Sequence, residues 1–261
     1  MNIYRVLTRD GQVCWAAQAD GGPPRLIRGD IFGEFTVTDQ PVEPAKLLAP
    51  VNPPNIFAIG LNYRAHAVEA NKPIPDAPVV FAKATTSLNH PGDPIVLPAC
   101  SQSVDYEVEL AVIIGRRCRN VPADRAVEHI LGYCVANDVS ARDWQQRLGQ
   151  WVRAKSFDTF CPVGPCIVTG LDPSNLPLTS ILNGQVMQDS RTSDMIFPVP
   201  ELVEFLSADL TLLPGTLILT GTPSGVGVAR KPPVFLKPGD TIVCRIEGIG
   251  QISNPVVAAG D

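Results

Sequence analysis

One stretch limits what this chain can become more than any other: Asp105-Tyr106-Glu107-Val108-Glu109-Leu110-Ala111-Val112-Ile113-Ile114-Gly115. Its β-branched end and final glycine predict a strand. Side chains alternate along a strand, so Asp105, Glu107 and Glu109 share one face, and Tyr106, Val108 and Leu110 the other. Neighbouring carboxylates on that face lie ~7 Å apart, and at an effective dielectric of ~20 such a pair repels by ~2–2.5 kcal/mol. Two readings are open. The face can be solvated, as on any half-exposed strand, or it can hold a divalent cation, because carboxylate oxygens are hard ligands suited to Mg²⁺, Mn²⁺ or Ca²⁺.

A cation needs a third oxygen. Asp138 follows the apolar strand-like run "GYCVAN" and precedes a helical pattern, so it sits at a strand's C-terminal end; the alternative for it is a helix N-cap. The three histidines (66, 90 and 129) show no HxH or HExxH spacing, which argues against zinc. His66 and Glu69 are three apart in a helix predicted over 61–70 and face together. They form either an acid–base dyad able to activate water or an exposed polar face. His129 is expected at the surface and His90 in a turn.

Arg142 and Gln145 are also three apart, in a helix predicted over 139–148. They can reach a substrate carboxylate and carbonyl, or Arg142 can pair with Asp138 or Asp143 at the surface. Lys155 lies between a Trp and a Phe, either as a stem packed on aromatics with its head in water or as a cation aimed into a pocket. "TGTPSGVG" (220–227) follows a buried strand and can present several N–H groups to an anion, or can be a simple hairpin loop. It lacks the Gly-Lys-Ser/Thr of a P-loop, and neither a GxSxG elbow nor a strand–GxGxxG–helix unit occurs.

Twenty-six prolines and 21 glycines in 261 residues point to many turns and a β-rich body. Residues 1–50 read as a small β unit, the Pro-rich 48–55 as a linker, and 55–261 as the main domain, with a helix over 122–132 and a hairpin at Asn183-Gly184. The net charge of −5, with no Lys/Arg cluster interleaved with aromatics, speaks against nucleic acid and anionic membrane. No apolar run reaches membrane-spanning length and no signal peptide is evident, so a cytoplasmic protein is expected. The seven cysteines are odd in number, form no CxxC pair and fit reduced, buried thiols; Cys161 lacks a nearby histidine that would make it a nucleophile.

Taken in order, "NIFAIGLNYRAHAVE", "VFAKATTSLNHPGDPIVLP", "VDYEVELAVIIG", "GYCVANDVSARDWQ", "AKSFDTFCPVGP", "LTGTPSGVG" and "LKPGDTIVCRIEGIGQISNPV" resemble the fumarylacetoacetate hydrolase family over about 55–256. The resemblance implies a β-rich α+β fold, a mixed β-sandwich roll, usually as a homodimer. It implies Mg²⁺ or Mn²⁺ (with Ca²⁺ able to stand in) on Glu107, Glu109 and Asp138. It places His66 and Glu69 on a lid helix that orders around substrate, and Arg142, Gln145, Lys155 and Thr222 along the substrate pocket. Lys83 matches a family lysine that Pro usually follows; here Ala84 follows, and a substrate contact is expected for it. The implied substrates are small 2-oxo acids. The expected reaction is metal-dependent cleavage of a C–C bond in an acylpyruvate, with Lys155, His66 and Glu69 as catalytic groups. Decarboxylation or keto–enol isomerisation on the same site is the alternative, and a non-catalytic small-carboxylate-binding module the alternative of another class.

Overall fold

In a computed structural model the protein is described over residues 1–19 and 21–260. Its centre is the strand Val108–Ile114, every residue of which is buried. It pairs antiparallel with Ile130–Asn137 on one side and Leu217–Leu219 on the other. Val108, Leu110, Val112 and Ile114 enter one apolar cluster, while Ala111 and Ile113 enter a second on the opposite face. A strand covered on both faces needs a continuous apolar run rather than alternation, which is what "VELAVII" supplies.

The twelve-stranded sheet around this strand is mixed. Leu217–Leu219 runs parallel to Ile56–Gly60, which pairs antiparallel with Val79–Lys83 at the sheet's edge. Across the first apolar cluster lies a five-stranded sheet that contributes Leu178, Leu182, Ile242, Cys244, Ile246 and Ile252. Two packed sheets with few helices make the expected β-rich α+β sandwich roll. Four short α-helices occur among the described residues: α1 (Arg64–Glu69), α2 (Arg142–Arg147), α3 (Val152–Lys155) and α4 (Val199–Ser207). None is long and apolar enough to cross a membrane.

The N-terminal strands join the large sheet directly, Asn2 and Ile3 facing Val168 and Ile167. The Pro-rich 48–55 packs Ala49 and Val51 into the second apolar cluster and has hydrogen-bonded sheet on both sides. The hairpin at Asn183-Gly184 forms as expected, with φ of 51° and 83° at its two central residues. All seven cysteines are free, and burial pushes the Cys161 thiol up to about 12, far from a nucleophile's range.

Three local expectations need correction. Residues 123–129 form a 3₁₀ helix rather than an α-helix reaching 132, because Ile130 is drawn into the strand opposite Ile114; Val127 is left 68% exposed. The helix expected from 139 starts only at Arg142, because Ser140–Ala141 pairs with Val104–Asp105. The carboxylate run is not one strand: it breaks at Tyr106–Glu107, and Asp105, Glu107 and Glu109 are all buried, which rules out a solvated face.

Candidate metal and substrate site

The break in the carboxylate run, the end of the Ile130–Asn137 strand and the short helix α3 meet at one point. Asn137 Oδ1 accepts the Glu107 N–H at 3.0 Å, and the Glu107 carbonyl accepts the Asp138 N–H at 2.9 Å. These bonds fix the two backbones side by side. Glu109 rises from the neighbouring position of the central strand, and one oxygen from each of Glu107, Glu109 and Asp138 lies within 4.8 Å of the others.

The surroundings are electrostatically unusual. Seven charged side chains are buried among the described residues, and all belong to this cluster: Asp105, Glu107, Glu109 and Asp138 against Lys83, Arg142 and Lys155. Arg142 bonds Asp105 through Nε at 2.8 Å and Glu107 through Nη2 at 2.6 Å. Lys155 Nζ donates to Glu107 Oε2 and, at 2.5 Å, to Asp138 Oδ2. Lys83 Nζ reaches Asp138 Oδ1 at 2.6 Å and the Phe160 carbonyl at 2.9 Å. Burial opposes ionisation of Glu107, but the Arg142 and Lys155 cations outweigh it and hold its carboxyl well below the usual range. Burial likewise disfavours the Lys155 cation, yet Asp138 and Glu107 outweigh that and raise it.

Glu109 is the odd one out. Burial, and then the Asp138 and Glu107 charges, push its carboxyl well above the ordinary carboxylate value, although the Gly221 N–H binds its Oε2 at 2.7 Å. No donor among the described residues reaches its other oxygen. Four buried carboxyl groups against three cations leave Glu109 without a cationic partner of its own, so it favours its protonated form in the absence of a metal and offers a hard oxygen ligand at the cavity wall. The donor set therefore fits Mg²⁺, Mn²⁺ or Ca²⁺ and suits neither a soft metal nor zinc.

The glycine-rich loop does present N–H groups to anions, but the anions are the protein's own carboxylates. Gly221 serves Glu109, Gly225 serves Glu69 Oε1 at 2.8 Å, and Gly227 and Val228 serve Asp105 at 2.7 and 3.0 Å. At Gly225, φ is +101° and an added Cβ would fall 2.2 Å from the Met187 carbonyl, so only glycine fits. Glu69 bonds His66 Nδ1 at 2.9 Å through its remaining oxygen, so α1 is latched over the cavity and the dyad is made. The other ring nitrogen, Nε2, makes no hydrogen bond among the described residues, and His66 lines the cavity.

A cavity of about 510 Å³ opens on this cluster and is lined by His66, Glu107, Glu109, Asp138, Arg142, Gln145, Lys155 and Thr222. Of the substrate residues expected from the sequence, Lys83 alone does not line it; its ammonium is spent fixing Asp138 from behind. Arg142 is not a surface ion-pair partner of Asp138 or Asp143 but a buried link between Asp105, Glu107 and the Gln145 side chain, whose Oε1 it bonds at 2.9 Å. Asp138 caps no helix, since both its oxygens are held by lysines. His90 accepts the Ala49 N–H at 3.0 Å and is structural, as a turn residue should be.

Gln188 escaped sequence reasoning. From the second sheet, its Oε1 accepts the Val108 N–H and the Ser180 hydroxyl, and its Nε2 donates to Thr222 Oγ1 at 2.7 Å and the Pro223 carbonyl. Val186, two residues earlier, is half exposed, and the register shift at Ser180/Ile181 breaks the alternation that would have flagged Gln188. Asp105 was visible as a carboxylate, but not as the anchor of both Arg142 and the 227–228 turn.

Residues 55–257 match the family model described as Fumarylacetoacetate (FAA) hydrolase C-terminal. Among curated proteins, "Oxaloacetate tautomerase fahd2, mitochondrial" of Xenopus laevis is 50% identical over 217 residues, 81% of this chain and 68% of that protein. Among solved structures, 5-carboxymethyl-2-hydroxymuconate delta-isomerase from Mycobacterium smegmatis superposes with a TM-score of 0.88 at 46% identity, covering 99% and 100% of the two chains. The 2-hydroxyhepta-2,4-diene-1,7-dioate isomerase from Mycobacterium marinum gives 0.87 at 45% identity, covering 100% of each chain.

Proposed function

The chain belongs to the fumarylacetoacetate hydrolase family, and from that premise we propose that it is a divalent-metal-dependent enzyme that interconverts the keto and enol forms of small 2-oxo acids. One observation carries this reading: three buried carboxyl groups within 4.8 Å of one another, one of them without a cationic partner, share a cavity with the hydrogen-bonded His66–Glu69 pair and the Lys155 ammonium. The relatives named as a tautomerase and as isomerases support it, since each name denotes proton movement rather than bond cleavage.

A divalent cation held by Glu107, Glu109 and Asp138 would supply positive charge beside the 2-oxo group and ease the build-up of negative charge there by several kcal/mol. The chain's own residues do the rest. His66 takes a proton from the carbon next to the 2-oxo group and returns it, or delivers it further along an unsaturated substrate. Glu69, itself held by the Gly225 N–H, bonds Nδ1 and fixes the imidazole tautomer. Lys155 offsets the substrate's negative charge, and Gln145, whose Oε1 is held by Arg142, orients its carboxylate through Nε2, while Thr222 lines the wall with its hydroxyl given to the Val108 carbonyl. Helix α1 keeps bulk water from the reacting carbon.

A second reading, hydrolysis of a C–C bond in an acylpyruvate, is favoured by the same dyad, because an imidazole backed by a carboxylate can equally deprotonate water. The experiment follows deuterium uptake at the carbon beside the 2-oxo group by proton NMR, with Mg²⁺-loaded protein in D₂O. Acetylpyruvate is included to detect acetate release. Exchange faster than the blank, lost by about 10²–10⁴-fold in His66→Ala, supports the isomerase reading. Acetate release as the dominant reaction would replace it with the hydrolase, and neither would refute both.

A further inference from the structure

Asp105 is fully buried, yet it neither lines the cavity nor belongs to the carboxylate trio that could hold a cation. Four N–H groups converge on it instead. Its Oδ1 accepts from Tyr106 at 2.9 Å and Gly227 at 2.7 Å; its Oδ2 accepts from Val228 at 3.0 Å and Arg142 Nε at 2.8 Å. An ionised carboxylate satisfies all four donors, whereas an amide of the same size would turn its NH₂ against two of them.

What those donors carry gives Asp105 its reach. On one side, Arg142 spends Nη2 on Glu107 at 2.6 Å and Nη1 on Gln145 at 2.9 Å, so one guanidinium places a carboxylate of the trio and a cavity side chain. On the other side lies the glycine-rich loop. From Thr220 to Val226 it forms no strand or helix, so no ladder of its own holds it. Two residues before Gly227, the Gly225 N–H holds Glu69 Oε1 at 2.8 Å, and Glu69 holds His66. Val228 itself lines the cavity. The hydroxyl of Tyr106, the residue next to Asp105, adds a bond to the Gly225 carbonyl at 3.3 Å. At Gly227 an added Cβ would fall 2.6 Å from Asp105 Oδ1 and closer still to the Val234 carbonyl, so the turn sits on the carboxylate without room to slide.

We infer that Asp105 is a positioning residue for the proposed reaction: buried behind the site, it ties the loop that latches α1 to the arginine that places Glu107 and Gln145, so the dyad and the carboxylate trio are set as one unit. The chemistry it serves rests on the function proposed above; the coupling itself is a property of the fold. Disturbing this joint should loosen α1, although Asp105 bonds no residue of that helix.

The test is amide hydrogen exchange by mass spectrometry, with and without Mg²⁺, alongside the deuterium-uptake assay. It compares wild type, Asp105→Asn, Tyr106→Phe, Glu69→Gln and the double variant Asp105→Asn/Glu69→Gln. In Asp105→Asn the amides of α1 should exchange about tenfold faster, those of Val108–Ile114 and Ile130–Asn137 should keep their protection, and kcat should fall about tenfold. Tyr106→Phe should shift α1 exchange and kcat the same way by about threefold. Glu69→Gln opens the latch directly, so adding Asp105→Asn to it should change α1 exchange by less than about twofold. Exchange that rises equally in the core strands would mark a carboxylate that only stabilises the fold, and would overturn the inference. So would unchanged α1 protection in Asp105→Asn, kcat unchanged once α1 has loosened, or effects that add fully in the double variant. If Asp105→Asn does not fold, Tyr106→Phe decides, and α1 protection at the wild-type level in that variant overturns the coupling. A wild type that turns nothing over would refute the proposed reaction, whereas the exchange readout needs no turnover and still decides the coupling.

Discussion

Replacing Lys155 with methionine removes one of three buried cations from a cluster that already holds four carboxylates. Lys155 bonds both Glu107 and Asp138 and is 2% exposed, so methionine fills the space but leaves two buried anions short of a partner. Breaking a buried pair in this way costs about 3–5 kcal/mol. In a chain of this size that lowers the metal-free melting temperature by about 10 °C. A divalent cation would no longer have to displace the ammonium, and it would restore the missing charge. Each 1.4 kcal/mol recovered on binding is a tenfold gain in affinity, so recovering half the penalty means metal affinity at least about tenfold higher than wild type. Turnover should nevertheless collapse, because the substrate's charge is no longer offset. The assays are differential scanning calorimetry with and without Mg²⁺, and Mg²⁺ titration calorimetry. A melting temperature that Mg²⁺ does not rescue, or metal affinity below wild type, would refute the charge balance on which the site is built.

Other expectations follow from the same geometry. Glu109, with its folded pKa raised, keeps a proton that the unfolded chain gives up above about pH 4–5. Metal-free stability therefore falls as pH rises from there through that raised value. Metal entry expels the proton, so apparent affinity should climb with pH toward that raised value, and over that range the binding heat should differ between buffers of different ionisation enthalpy. Glu107 has the opposite sign: its depressed pKa contributes stability above about pH 4.5 that is lost only as pH falls through the depressed value. Gln188→Met strands the Val108 N–H and removes the donor to Thr222 Oγ1, while the Thr222 hydroxyl still donates to the Val108 carbonyl; it should cost about 1–3 kcal/mol by denaturant unfolding and raise KM more than it lowers kcat.

The carboxylate cluster was legible in the sequence because residue spacing and strand ends are local properties. Glu107 and Glu109 declare themselves by a spacing of two, Asp138 by its place after an apolar run, and His66 with Glu69 by a spacing of three. The Asn183-Gly184 hairpin is equally local. What was hidden depends on distant pairing. Lys83 lies in an ordinary edge strand, and only the fold reveals that its head passes behind Asp138 instead of into the cavity. Gln188 follows a register shift, and the Trp151 indole packs against Gly60, ninety-one positions earlier, where a side chain would collide with it. The helix expected over 122–132 lost Ile130 and Leu131 to a long-range strand pairing that local propensity cannot weigh.

The central claim is that three carboxylates from separate segments form one divalent-cation site. Its most direct test is Mn²⁺ binding followed by electron paramagnetic resonance on wild type and Glu109→Gln. The account predicts one tightly bound Mn²⁺ per wild-type chain, competed by Mg²⁺, and none in a variant that remains folded by circular dichroism. A wild type that leaves the Mn²⁺ signal free, or a variant that binds it equally well, would contradict it.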